Sequence, residues 1–413
     1  MSAHGSTAPG RRGHGWSKPH PRAGGKPSAS RAAFAAGLAF ILVSATTPAA
    51  AQCYRIGDLG APPGASDIRA RDINNVGQAV GCVFTTSYHA FLYQDGLMID
   101  LGALEGSESF AHGINDSGQV VGSAQTASGD HHAFLYQNNT MIDLGTLGGT
   151  YSFAAAINNA GQVAGYSSNE SGECHAFIWH NGVMTDLGAI GTWGCQVWDI
   201  NNSGQVVGVM QPAEGRLHAF IWSMAEGIID LGTLGGMESY PYRINDAGQI
   251  VGGTWTGEVN PPDNPVTHAF LYRAGGITHP GTLGGENSVA LGINSAGQVV
   301  GAAETDTGEL HAFVYDHIRG MQDLNTLISP SAGWSVLQKA AAINDAGQIV
   351  GTGLINDQQH LFILTPDNTD ADANGIPDAC EALPQPSTCG EGLAPMLTLT
   401  LLGLAWIKGP KKG

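Results

Sequence analysis

The chain has 413 residues, of which 60 are Gly, 42% are hydrophobic and only 13% are charged. That balance is too apolar for a disordered polymer, and abundant Gly without a three-residue period excludes collagen and points to many tight turns. The formal net charge is −18, but six of the 17 Lys/Arg lie in residues 1–51 and three in the last six residues. Residues 52–407 therefore hold eight basic residues against all 35 acidic ones, near −27, a field that repels phosphate backbones and argues against a nucleic-acid partner.

Residues 1–51 read as a signal peptide. A polar, basic stretch (1–32) precedes an apolar run from Ala33 to Ala45, and small residues at Ala49 and Ala51 predict cleavage after Ala51, leaving Gln52 as the new N-terminus. Export makes disulfides permissible. Cys53 suggests a lipidation site, but Gln52 is too bulky for the small residue such a site needs before its Cys.

Residues 52–365 carry one unit seven times. Ile-Asn-x-x-Gly-Gln-x-(Val/Ala)-Gly has its Asn at Asn74, Asn115, Asn158, Asn201, Asn245, Asn294 and Asn344. His-Ala-Phe starts at His89, His132, His175, His218, His268 and His311, with His360-Leu-Phe as a seventh copy. Asp-Leu-Gly starts at Asp58, Asp100, Asp143, Asp186 and Asp230, with degenerate copies at His279 and Asp323. Each unit predicts four short strands, a to d. Strand a ends in Ile-Asn, Asn-x-x-Gly turns the chain, Gln-Val-Val-Gly is strand b, His-Ala-Phe-Leu-Tyr is strand c, and strand d runs into Asp-Leu-Gly. Four strands in about 42 residues is the pattern of a propeller blade, whose two apolar faces only ring neighbours can bury. The first motif met is a lone strand d (Tyr54 to Gly60), and the seventh unit stops after strand c (Leu361 to Leu364). The expected fold is thus all-β, a seven-bladed propeller closed by the N-terminal strand completing the last blade.

Residues 366–383 form an Asp-rich segment. Asp370, Asp372, Asn374, Ile376 (through its carbonyl), Asp378 and Glu381 occupy loop positions one, three, five, seven, nine and twelve, with Gly375 at six. That is the ligand spacing of an EF-hand calcium loop, although Pro377 and the lack of flanking helices depart from it, and the segment is more similar to the Asp-rich calcium repeats of thrombospondin type 3 or dockerin kind. Ca²⁺ is the expected cofactor. Residues 384–413 form a tail: a Pro/Ser linker, Cys389-Gly390, an apolar run from Leu393 to Ile407, then Lys408, Lys411 and Lys412. Fifteen apolar residues are short for a membrane span. The tail resembles bacterial C-terminal sorting signals, and it is the expected membrane link.

The repeats, read together, resemble those of the HAF-repeat bacterial extracellular proteins over about residues 54–364, and more loosely kelch repeats. The resemblance implies an extracellular or cell-surface location and no established activity.

The His of His-Ala-Phe, the Asp of Asp-Leu-Gly and the Asn of Ile-Asn read as structural: ring symmetry holds like residues apart, and such groups tie loops to strands and satisfy turn donors. No metalloprotease, hydrolase, phosphate-loop or Cys-x-x-Cys motif occurs, so no catalysis is expected, though a triad assembled across blades leaves no linear trace. The b–c and d–a loops share one face and collect carboxylates, among them Asp130, Glu170, Glu258, Glu304, Glu105 and Glu286. This acidic rim is either a surface for cations or basic partners or simply a solvated edge. Two insertions, Glu258 to Thr267 and Asn325 to Lys339, fall on that face, where binding loops are expected. Trp193, Trp198 and Trp255 stack sugars there or belong to the core. Cys174 and Cys195 start strands on adjacent blades at one face and form the expected disulfide. The expected function is a monomeric surface module that binds an extracellular polysaccharide or protein. The competing reading is a propeller lyase or glycoside hydrolase using rim carboxylates.

Overall fold

The computed structural model describes residues 52–190, 196–212, 215–260, 264–273, 276–369 and 378–381. They form seven four-stranded antiparallel sheets, each in spatial order a–b–c–d. The a strands are Asp67–Ile73, Ser109–Ile114, Gly148–Ile157, Gln196–Ile200, Glu238–Ile244, Gly284–Ile293 and Val336–Ile343. Six blades are continuous in sequence. The seventh takes its outer strand, Cys53–Gly60, from the N-terminus, antiparallel to Gln358–Asp367. This is the seven-bladed, N-terminally closed propeller that the repeat order predicts.

The motif residues have specific packing roles. The Phe of His-Ala-Phe (Phe91, Phe134, Phe177, Phe220, Phe270, Phe313, Phe362) is at most 1% exposed in every blade. Each lies directly opposite the last Gly of the strand-b motif, as in Gly81–Phe91 and Gly122–Phe134. That Gly is obligatory because a Cβ at Gly81, Gly122 or Gly301 would overlap a strand-a carbonyl oxygen on one side and crowd the Phe ring on the other. Adjacent sheets bury their faces against each other. Val121 and Leu135 of blade two pack with Ile157 and Phe177 of blade three, and Ile68 and Phe91 of blade one pack with Val350 and Leu361 of blade seven.

The Asn-x-x-Gly turns form as expected: Gly77 N donates to Asn74 O at 3.1 Å, and Gly77 has φ +85°. The Asn side chain does more than cap its turn. Its Oδ1 accepts from the amide of the following Gln, while its Nδ2 donates to that Gln side chain and to the backbone carbonyl of the equivalent Asn in the next blade, as Asn74 does to Gln78 and Asn115.

Two features go beyond the sequence reading. The Asn325–Lys339 insertion is anchored to the core through Leu327, Ile328 and Leu337, while Thr326, Pro330, Ser331, Gly333 and Ser335 stay exposed. Leu327 and Ile328 are buried with Tyr54, Trp334 packs edge-on to Phe362, and Leu327 O accepts from Tyr54 N at 2.9 Å. It latches the closing strand because that strand needs an apolar cover on its outer side. Cys53, which no sequence argument paired, is disulfide-bonded to Cys380 with Cα atoms 5.4 Å apart. The other insertion lengthens the hairpin of Ile250–Asn260 with Asn264–Arg273.

Candidate functional site

Every a strand has a β-bulge against strand b close to its end, between Ala70 and Asp72 in blade one and between Ala111 and Gly113 in blade two, for example. A bulge places two consecutive residues on the same side. Here it turns the residues two and three positions before each motif Asn toward the centre of the ring. At three before, the seven blades offer Arg71, His112, Ala155, Trp198, Tyr242, Leu291 and Ala341. All seven line one cavity of about 420 Å³, joined by Arg243, by Phe153 and by Lys339. A neighbouring cavity of about 230 Å³ shares Arg71 and Lys339 and extends past Arg69 to Asp67 and Gln359, toward the b–c/d–a face.

The chemistry of this channel opposes that of the surface. Of the eight basic residues in 52–407, Arg71, Arg243 and Lys339 line the main cavity and Arg69 the adjoining one. Arg69 pairs with Asp67 and lies over the Tyr88 ring at 5.5 Å. Arg243 donates to Arg71 O at 3.0 Å and lies 4.0 Å from Asp72. No ion pair forms at Arg71 or Lys339 among the described residues. Burial lowers the pKa of both, and each also suffers repulsion from neighbouring arginines. Burial, with Arg71 and Arg243 adding repulsion, pulls His112 down to about 3, so its imidazole is neutral. Arg71 Nε, His112 Nε2 and Trp198 Nε1 are buried and have no hydrogen-bond partner among the described residues. Trp198 meets Tyr242 edge-on at 5.0 Å, and His112 lies 4.3 Å from Phe153.

Toward the a–b turns the channel carries Asp72 and Asp199. Each bridges two blades: Asp72 accepts from the amides of Ile73 and Ile114, Asp199 from those of Ile200 and Ile244. Burial raises both carboxyls, Asp199 to about 6, against the pull of Arg243 and the amides.

The repeated His and Asp are structural, as the sequence suggests, and in six blades they are tied to each other, which the sequence reading did not give. His89–Asp100, His132–Asp143, His175–Asp186, His218–Asp230, His311–Asp323 and His360–Asp58 are Nδ1–carboxylate contacts of 2.7–3.1 Å. The same Asp caps its turn, Asp100 Oδ1 accepting from Gly102 N. Blade five breaks the rule: His279 replaces the Asp, and His268 and His279 line a separate cavity with Glu258 and Glu286.

Among the described residues, no three His, Cys, Asp or Glu side chains converge to hold a metal ion. Among the rim carboxylates, Glu304 accepts from Asn287 and Glu173 from Asn169. Of the expected calcium ligands, Asp370, Asp372, Asn374 and Ile376 lie outside the described residues, and Asp378 and Glu381 bound a short helix, Asp378–Glu381. Cys174 is disulfide-bonded, while its expected partner Cys195, like Ala51, lies outside the described residues. Trp198 lines the channel, and Trp255 Nε1 donates to Glu258 O at 3.3 Å.

Sequence reasoning sought the site in the loops and missed the channel column. Its signal is present: within strand a the Ile before Asn recurs in every unit and Ala recurs four before it in five of them, while the positions two, three and five before Asn vary from unit to unit.

No family model and no curated protein matches the chain. Three solved structures similar to it are distant. A Mycobacterium tuberculosis puromycin-hydrolysing peptidase is 11% identical with TM-score 0.43, covering 73% of this chain and 49% of its own. The gluconolactonase XC5397 of Xanthomonas campestris is 9% identical, TM-score 0.39, covering 76% and 90%. The BP39L lectin of Burkholderia pseudomallei is 11% identical, TM-score 0.38, covering 76% and 95%. Two enzymes stand beside a lectin among these similar structures. The expectation that this chain is not an enzyme is withdrawn. It rested on missing linear motifs, and residues converging from different blades leave none. The class that stands is the β-propeller, with a cationic, aromatic channel at its axis.

Proposed function

We propose that this protein is an exported ligand-binding propeller of the HAF-repeat kind, presented at the cell surface, whose binding site is the axial channel entered from the b–c/d–a face. The observation that carries this reading is the varied tier of Arg71, His112, Trp198 and Tyr242, which lines one cavity from strands that share their Ile-Asn ends. Repetition serves the fold, and departure from it at seven converging positions serves something else. The cavity falls within the roughly 300–1,000 Å³ range of ligand pockets and mixes aromatic walls with a few polar groups. Its ligand is an extracellular polysaccharide or protein. The Asp-rich segment from Asp370 to Glu381 is proposed to bind Ca²⁺ and stiffen the junction between propeller and tail, and the tail to mediate surface attachment.

The test is retention of the secreted protein on cell-surface polysaccharide and on surface-protein extract, with calcium and with chelator. Trp198→Ala and Arg71→Gln are expected to abolish retention at unchanged melting temperature. Retention that neither variant alters would move binding away from the channel.

A further inference from the structure

We propose that the channel cavity takes one acidic sugar unit, its carboxylate held by Arg71 and Lys339 and its ring set against Trp198 and Tyr242. This rests on the channel being the binding site. Three observations lead to the ligand class.

The first is charge. Half of the basic residues in 52–407 gather at the axis of a body near −27. Arg69 and Arg243 have carboxylates near them; Arg71 and Lys339 do not, among the described residues. Two cations facing one small cavity repel each other, and an anion between them relieves both.

The second is the pattern of polar atoms. Arg71 Nε and Trp198 Nε1 donate, and the neutral imidazole of His112 either donates or accepts through Nε2. Two fixed donors and one group of either sense are all met by hydroxyls, which both donate and accept, whichever tautomer His112 adopts. A bare carboxylate or phosphate only accepts.

The third is shape. Trp198 and Tyr242 meet at 89°, so they form a corner and cannot bury each other's faces by stacking. At about 420 Å³ the cavity suits one sugar unit and is small for a folded segment of a protein. Anion, hydroxyls and a stackable ring together describe a sugar acid, either free or as the terminal unit of an acidic polysaccharide.

The experiment titrates the full exported protein with glucuronate, galacturonate, glucose, acetate, an acidic peptide and an oligomeric uronate, followed by calorimetry and tryptophan fluorescence. A uronate is expected to bind roughly tenfold or more tightly than glucose. Lys339→Met should remove that preference, and Trp198→Ala should weaken uronate and glucose alike, with melting temperatures as in the parent. Binding of the oligomer at one unit per chain end identifies the polymer terminus as the source; binding of the monomer alone identifies the free acid. Equal binding of glucose and uronate, with Lys339→Met silent and Trp198→Ala damaging, would overturn the acid assignment and leave the channel reading standing. A peptide that outcompetes every sugar would overturn the sugar assignment. Binding of none, or binding that neither variant changes, would overturn both.

Discussion

Asn344 Nδ2 donates to the backbone carbonyl of Asn74 at 2.9 Å, across 270 residues of sequence, and so closes a ring of seven such bonds. The other six run Asn74 to Asn115, then to Asn158, Asn201, Asn245, Asn294 and Asn344, each at 3.0–3.1 Å. A second series of six bonds, each from the amide after one motif Asn to the side chain in the next blade, runs from Ser295 through Asp345, Asn75, Asp116, Asn159 and Asn202 to Asp246. The ring and this series tie the blades together at the a–b end of the channel.

Asn344→Ala should destabilise the protein by about 1–3 kcal/mol, since it removes a turn cap and one of the two hydrogen bonds to the Asn74 carbonyl, which keeps only that from Gly77 N. Asn344→Asp should be worse. It retains the acceptor but sets a carboxylate against two oxygens, Asn74 O and Gln348 Oε1. Urea unfolding of the two variants checks the order.

Gly122→Ala should cost about 3 kcal/mol or more, or prevent folding. The new methyl overlaps Phe110 O and crowds the Phe134 ring, and a bulged strand between two buried sheets cannot move aside. Gly129→Ala, at a loop glycine with open space around it, is the comparison: its cost comes only from positive φ, about 1 kcal/mol. Thermal melting separates the two.

Reducing Cys53–Cys380 should destabilise by about 2–5 kcal/mol, since the bond closes a loop across 327 residues. The effect should be local as well as global. Amide exchange in Cys53–Gly60 should accelerate more than in Val163–Asn169, which lies inside a continuous blade.

Two channel groups tilt stability with pH in opposite senses. Asp199 holds its proton up to about 6 in the folded protein and only to 3.8 otherwise. Between those values the native state binds more protons, so stability falls as pH rises, by up to about 3 kcal/mol. His112 resists protonation down to about 3 against 6.5 when exposed, so its contribution is complete above 6.5 and is lost as pH falls toward 3, by up to about 5 kcal/mol. Unfolding free energies from pH 3.5 to 7 should show a shallower acid decline in His112→Phe than in the parent, and a steeper one in Asp199→Asn.

The sequence by itself determined the blade. Most repeated residues answer to a contact made within one blade or with an identical neighbour: Asn with the next Asn, His in five blades with the Asp eleven or twelve residues on, Gly with the Phe across the ladder. Such contacts recur, so they leave a period that can be read, and the odd strand at each end even reveals how the ring closes. Only the tertiary structure decided the channel and the staple. Arg71, Trp198, Tyr242 and Lys339 stand in four different units, and nothing local requires any of them. Arg71, Trp198 and Tyr242 sit at the bulge and Lys339 just before it, and closure of the ring brings them to one axis, where four of eight cations meet in an acidic protein. Cys53 and Cys380 likewise become neighbours only after the N-terminal strand has joined the last blade. A contact formed once, between residues far apart in the chain, has no period to betray it.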